Sequence, residues 1–278
     1  YMWPNWVMDT LIWATVFVTI WSFLDYFGQF IWSYALKEEK GDKKKVRQRI
    51  LGIIPNIIST LNMGFGFLAI VFAIKTKIMI ASGFVLCGIF CDVMDGKVAR
   101  KLNVESTFGK DLDTKADFIT FGIAPAIIIF VKLVALLGQV GSVAVAMIYL
   151  LSVFYRLKRF SKTGHSETFE GLPSPVGAIF VVAVSHSMII GDTLIQSMLI
   201  LLTAVLMVTA LPYPHASGIR KTGLKYFVVP SQVGFLLAIP YFFGVGAIAL
   251  VYPMEWLIVL NSLYIAYPFF NLAALRKK

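Results

Sequence analysis

The chain has 278 residues, of which 58% are hydrophobic and 14% charged, and its mean hydropathy is +0.79. Soluble domains carry about a quarter charged residues, so this much apolar surface cannot be hidden in one globule and lipid is the expected solvent. The formal net charge of +10 does not point to nucleic acid, because membrane chains collect Lys and Arg in cytoplasmic loops beside anionic headgroups.

Taken in chain order, apolar runs long enough to cross a bilayer lie near residues 7–34, 53–74, 78–95, 113–131, 138–155, 174–191, 194–211, 228–251 and 255–275. The chain starts at Tyr1, as a fragment or processed form would. Its first run is too long for a cleavable signal and lacks a small-residue cleavage pattern. The charged segment 36–50 is the clearest internal boundary and reads as a surface helix, with Arg47, Ile50, Leu51 and Ile54 at helical spacing. Assigning the loops alternately to two sides puts 22 Lys and Arg on one and leaves Lys75, Lys77 and Lys132 on the other. Such a split predicts nine spans with the basic side cytoplasmic. Cys87 and Cys91 fall one turn apart on one predicted helix, where packing is the expected role.

Four acidic residues sit at membrane boundaries. Asp92 and Asp95 close the third apolar run, and Asp113 and Asp117 open the fourth. A carboxylate there is costly unless paired, solvated or bound to a cation. Asp92, Asp95, Gly96 and Ala99 share one helical face, and Gly109, Asp113 and Asp117 share another. Two helices meeting at these faces would gather four like charges, with small residues leaving room beside them. Divalent cations relieve such repulsion, and an all-oxygen donor set suits Mg2+ or Mn2+. Hard cations over carboxylates are equipment for phosphoryl transfer, and a carboxylate free of metal can accept a hydroxyl proton. Salt bridges to Lys97, Arg100, Lys101, Lys110 and Lys115, or an ion-conducting transporter, are the competing readings of the same residues.

Asp92-x-x-Asp95-Gly96-x-x-Ala99-Arg100, eight further residues, then Gly109-x-x-x-Asp113-x-x-x-Asp117 resembles the signature of the CDP-alcohol phosphatidyltransferase family in every fixed position. The resemblance implies an all-α integral membrane protein with a six-helix core plus about three additional transmembrane helices. The domains expected are an N-terminal helix and basic linker over 1–50, a catalytic core over 51–212 and a C-terminal helix pair over 213–278. It further implies a homodimer, two metal ions (Mg2+ or Mn2+) and a CDP-lipid donor reached from the lipid bilayer, with the site at the cytoplasmic face of a multi-pass cell-membrane protein. Carried over, Asp92, Asp95, Asp113 and Asp117 are metal ligands, and Asp117 is also the general base. Gly96, Ala99, Arg100 and Gly109 would attend the donor nucleotide and phosphates, joined by Asn56 and Thr60 from the first core helix.

Within the family, "PNIISTLNMGFGFLAI" at 55–70, "FGKDLDTKADFITFGIAPA" at 108–126, "RLKRFSK" at 156–162 and "GLPSP" at 171–175 look like membrane-embedded phosphatidylserine synthases. Transfer from CDP-diacylglycerol to L-serine with release of CMP is therefore expected. Arg156, Lys158 and Arg159 would form a basic cluster for the acceptor, although Lys158 and Ser161 depart from the Ala and Asn often found there. Glycerol 3-phosphate or inositol phosphate is the alternative acceptor. Residues 11–30 are similar to the last helix of phosphatidylglycerophosphate synthases, which would make 1–49 the tail of a related enzyme.

Overall fold

A computed structural model describes residues 5–38, 42–163, 168–187, 190–214, 257–259, 261–262 and 264–266. The predicted span 228–251 lies outside the described residues, and that at 255–275 is described only in part. The elements in chain order are α1 (Asn5–Glu38), α2 (Lys43–Leu51), α3 (Ile53–Ile74), α4 (Ile78–Leu102), α5 (Thr107–Asp117), a π-helical turn (Phe118–Ile123), α6 (Ala124–Thr163), β1 (Thr168–Glu170), α7 (Ser174–His186), α8 (Thr193–Val208) and β2 (Pro212–Pro214). Four helical stretches are long and apolar enough to cross a membrane, namely Trp13–Glu38, Lys43–Ile74, Ile78–Leu102 and Thr107–Ser161. Three shorter apolar helices follow, at Ser174–His186, Thr193–Val208 and Leu257–Ala266. The one departure from an all-helical reading among the described residues is the antiparallel ribbon of β1 and β2.

Asp42 starts α2 by accepting hydrogen bonds from the backbone N–H of Lys44 and Lys45, which satisfies donors that a helix start leaves open. The side chain that α2 buries is Val46, whereas Arg47 and Ile54 of the expected stripe are exposed. Gly52 then joins α2 to α3 with little change of direction.

α3 has small and polar side chains inward and large apolar ones outward. Ser59, Asn62, Gly66, Ala69 and Ala73 are buried at helical spacing, while Ile57, Leu61, Phe67, Val71 and Ile74 are exposed. That inversion is what lipid imposes, because tails solvate large side chains as well as a core does and close helix approach becomes the packing gain. α4 packs against α3 through Ala81, Val85, Leu86 and Gly88, and one apolar cluster joins them to Phe121, Ala124, Ile128, Ala178, Val182 and Leu257.

Thr107–Ser161 is a 55-residue apolar stretch, about 80 Å as a straight helix and far beyond one bilayer crossing. Gly138, at φ 67°, breaks it. The halves then pack face to face, with Ala126, Ile129 and Leu133 in one cluster with Val145, Tyr149 and Val153. Tyr149 Oη donates to the Phe121 carbonyl at 2.8 Å across this hairpin.

The end of α6 is tied to α8 and the ribbon by Arg159. Its guanidinium donates to the carbonyls of Val208 (3.0 Å), Thr209 (3.2 Å), Met207 (3.4 Å) and Glu170, so a cation closes the carbonyl end of α8. Gly171 lies beneath it at φ +80°, where a Cβ would stand 2.6 Å from the Met207 oxygen and 2.7 Å from that of Thr209. Gly171→Ala is expected to destabilise the protein by roughly 2 kcal/mol or more, since both the backbone conformation and the space exclude a side chain. A lower melting temperature by size-exclusion in detergent checks this, and an unchanged melt would contradict it.

Candidate active site

Helix caps bring the acidic faces together. α4 continues nearly two turns beyond Asp95 and ends at Asn103, held at φ 54°. The Val104 N–H bonds to the Ala99 carbonyl at 3.1 Å, and that of Asn103 to the Arg100 carbonyl at 3.3 Å, a left-handed stop of the kind that suits Asn. Ser106 restarts the chain by accepting from the Gly109 N–H at 2.9 Å. The acidic pairs therefore lie within α4 and in the second half of α5, where the apolar pattern had placed them at the ends of the third and fourth spans.

Carboxylate oxygens of Asp92, Asp95 and Asp113 come within 4.8 Å of one another. Two unit charges at that separation repel by about 3.5 kcal/mol at an effective dielectric of about 20. Asp95 is buried, and its Oδ2 accepts from Ser59 Oγ at 2.6 Å. Asp113 Oδ1 is buried without a hydrogen-bond partner, an orphan acceptor that a cation would satisfy. Three oxygen donors, one of them orphaned, fit a hard divalent ion. Asp117 stands beside the three rather than among them. Its Oδ1 accepts from Asn62 Nδ2 at 3.3 Å, and it lies within electrostatic range of Asp92, Asp113 and Asp95, with Arg156 opposing. Two nearby lysines are engaged elsewhere, Lys110 with Glu105 at 3.3 Å and Lys115 with Asp111 at 2.7 Å. Salt bridges from these two therefore do not account for the acidic cluster.

The small residues of the signature sit where the backbone is approached closely. The Arg100 guanidinium lies over Gly96, 3.8 Å from where a Cβ would stand, and Ala99 is half-buried beside it. A Cβ on Gly109 would meet Asn56 Oδ1 at 2.9 Å, so α5 rests directly on α3 there. Thr60 is exposed and turns its hydroxyl back to the Asn56 carbonyl at 2.8 Å. The α3 residues that reach the carboxylates are instead Ser59 and Asn62, which sequence reading passed over. Two polar side chains three apart inside an apolar span were the signal available.

Arg156, Lys158 and Arg159 differ in burial and partners, although Arg156 and Arg159 lie within electrostatic range of each other. Arg156 is 7% exposed, donates to Ser174 Oγ at the start of α7, leaves its Nε without a partner, and lies within electrostatic range of Asp117 and Asp92. Lys158 is exposed, with its ammonium 6.0 Å from the Phe154 ring centre. Arg159 is committed to the carbonyls described above. Within about one helical turn, the register thus sends one cation toward the carboxylates, one to the surface and one to the frame.

Comparison with known proteins agrees with this geometry. A family model described as CDP-alcohol phosphatidyltransferase matches residues 52–213, more than half of the chain. CDP-diacylglycerol–serine O-phosphatidyltransferase of Helicobacter pylori is 30% identical over 227 residues, covering 78% of this chain and 90% of that one. Archaetidylserine synthase of Methanothermobacter thermautotrophicus is 33% identical over 171 residues, 59% of this chain and 71% of that one. A Bacillus subtilis CDP-diacylglycerol–serine O-phosphatidyltransferase is 31% identical over 166 residues, 59% of this chain and 92% of that one. A half-buried group of oxygen donors at a helix hairpin, with the signature residues around it and relatives of this kind, places the chain in the CDP-alcohol phosphatidyltransferase family.

Proposed function

We propose that the chain transfers a phosphatidyl group from CDP-diacylglycerol, or an ether-lipid counterpart, to the hydroxyl of L-serine and releases CMP. The observation that carries this reading is the convergence of Asp92, Asp95 and Asp113 beside Asp117. The names of the relatives above support the donor and the acceptor.

Asp92, Asp95 and Asp113 would hold Mg2+ or Mn2+, two ions being the number the family resemblance implies. Bound there, hard cations supply charge neutralisation for the phosphate oxygens and the leaving group. The chain's own residues do the rest. Asp117 takes the proton of the serine hydroxyl as that oxygen forms its bond to the lipid-bearing phosphorus. The bond from this phosphorus to the CMP phosphate oxygen breaks, and CMP departs with the electron pair. Arg100, lying over Gly96, steadies the donor phosphates, while Asn56, Thr60, Ala99 and Gly109 border the nucleotide. Arg156 binds the serine carboxylate, as a guanidinium suits, and lies within electrostatic range of Asp117 and Asp92. Holding both substrates together supplies much of the rate through positioning.

On this reading residues 51–212 form the six-helix catalytic core, flanked by 1–50 and 213–278, and two copies associate as a homodimer. The strong bias of Lys and Arg to one set of loops supports a site at the cytoplasmic face, because the acidic residues adjoin the basic segment 97–115.

CMP release by purified protein in detergent, with CDP-diacylglycerol and Mg2+ or Mn2+, is expected with serine and not with glycerol 3-phosphate or inositol phosphate. Release with either of the latter would reassign the acceptor, and cation flux in vesicles without any CMP release would replace an enzyme by a transporter. Asp117→Asn is expected to abolish turnover while metal and donor still bind, and parental activity would remove Asp117 from the proton transfer. Ser59→Ala removes the donor that orients Asp95. The metal concentration for half-maximal activity should then rise about tenfold, as titration with Mn2+ would report; an unchanged midpoint would contradict that role.

A further inference from the structure

Asn62 lies wholly buried within the apolar span α3, where an unused amide would be costly. Its Nδ2 donates to Asp117 Oδ1 at 3.3 Å, and its backbone carbonyl accepts from Thr120 Oγ1 at 3.0 Å. Its Oδ1 has no hydrogen-bond partner and faces α4 at Gly88, 2.8 Å from where a Cβ would stand. The amide therefore has one workable orientation. Exchanging its ends would set a carbonyl oxygen against the Asp117 carboxylate, two acceptors with no proton between them.

The segment after Asp117 reinforces this. Residues 118–123 form a π-helical turn, whose wider ring displaces the following side chains from α-helical register. Thr120 is thereby seated against both Gly66 and Gly88, so close that a Cβ on either would overlap it. Asp117 is gripped by Asn62 on one side and by its own anchored backbone on the other.

We propose that Asn62 is a positioning residue for Asp117. It engages one carboxylate oxygen and fixes the rotation of the group, so that the other oxygen is presented to the acceptor hydroxyl. The idea rests on the reading of Asp117 as proton acceptor and adds a role that the eight signature positions do not include.

The test uses the full chain in detergent, with Asn62→Leu, close in size but without a donor, and Asn62→Ala, smaller and also without one. Both are expected to lower kcat for CMP release at least tenfold. KM for serine and for CDP-diacylglycerol should stay within twofold, and the melting temperature of Asn62→Leu should match the parent. An unchanged kcat, or a rise in KM alone, overturns the proposal. So does a lowered melting temperature with parental kcat per folded molecule, or failure of both variants to fold, since each assigns Asn62 to the frame. A parent silent with serine, glycerol 3-phosphate and inositol phosphate alike overturns the functional reading itself and the proposal with it. An active parent with indifferent variants overturns only the role of Asn62.

Discussion

Mutual repulsion among carboxylates within 4.8 Å of one another, at the end of an apolar helix pair, is the constraint on which the surrounding structure depends. Lipid cannot solvate such a group, and Lys110 and Lys115 are occupied with other partners. What remains among the described residues is a set of neutral donors and two cations: Ser59 at Asp95, Asn62 at Asp117, Arg156 within electrostatic range of Asp117 and Asp92, and Arg100 within range of Asp95. The charge left over calls for a divalent cation.

The rest of the bundle reads as the frame this arrangement needs. Short side chains on α3 and α4 allow backbone approach close enough for Ser59 and Asn62 to reach across to their carboxylates. The Asn103 stop and the Ser106 start turn the chain between two acidic helices within four residues. Arg159, one turn beyond Arg156, fastens the end of α6 to the carbonyls of α8. One helix thus carries the site cation and the frame cation side by side.

Much of this was legible in the residue order. The four aspartates, Gly96, Ala99 and Gly109 announce themselves because their spacing places them on shared helical faces and because charge inside an apolar run is conspicuous. Apolar runs likewise flagged the four membrane-length stretches among the described residues, but neither their bounds nor the number of crossings. Three things were not legible. The π-helical turn after Asp117 has no compositional mark, because an extra residue in a helix changes register and not residue type. The separate fates of Arg156, Lys158 and Arg159 depend on about 100° of rotation per residue relative to neighbours that lie far away in sequence. Ser59 and Asn62 were hidden by their mildness. A hydroxyl and an amide inside a span need no partner by composition alone, and their value appears only once α4 and α5 are in place.

The lengths of the later helices carry a consequence for the surrounding lipid. α7 has 13 residues and α8 has 16, or about 20 and 24 Å of rise, against a hydrocarbon layer of about 30 Å. Were helices this short to cross the bilayer, the mismatch would be met by local thinning, snorkelling of flanking residues or association, at fractions of a kcal/mol per ångström. Ser174, which holds Arg156, is the first residue of α7, and Arg159 grips the end of α8. Membrane thickness would then bear on the two elements that hold Arg156 and Arg159, so the acyl-chain length of the bilayer would become a physical variable of the enzyme that helps to build it.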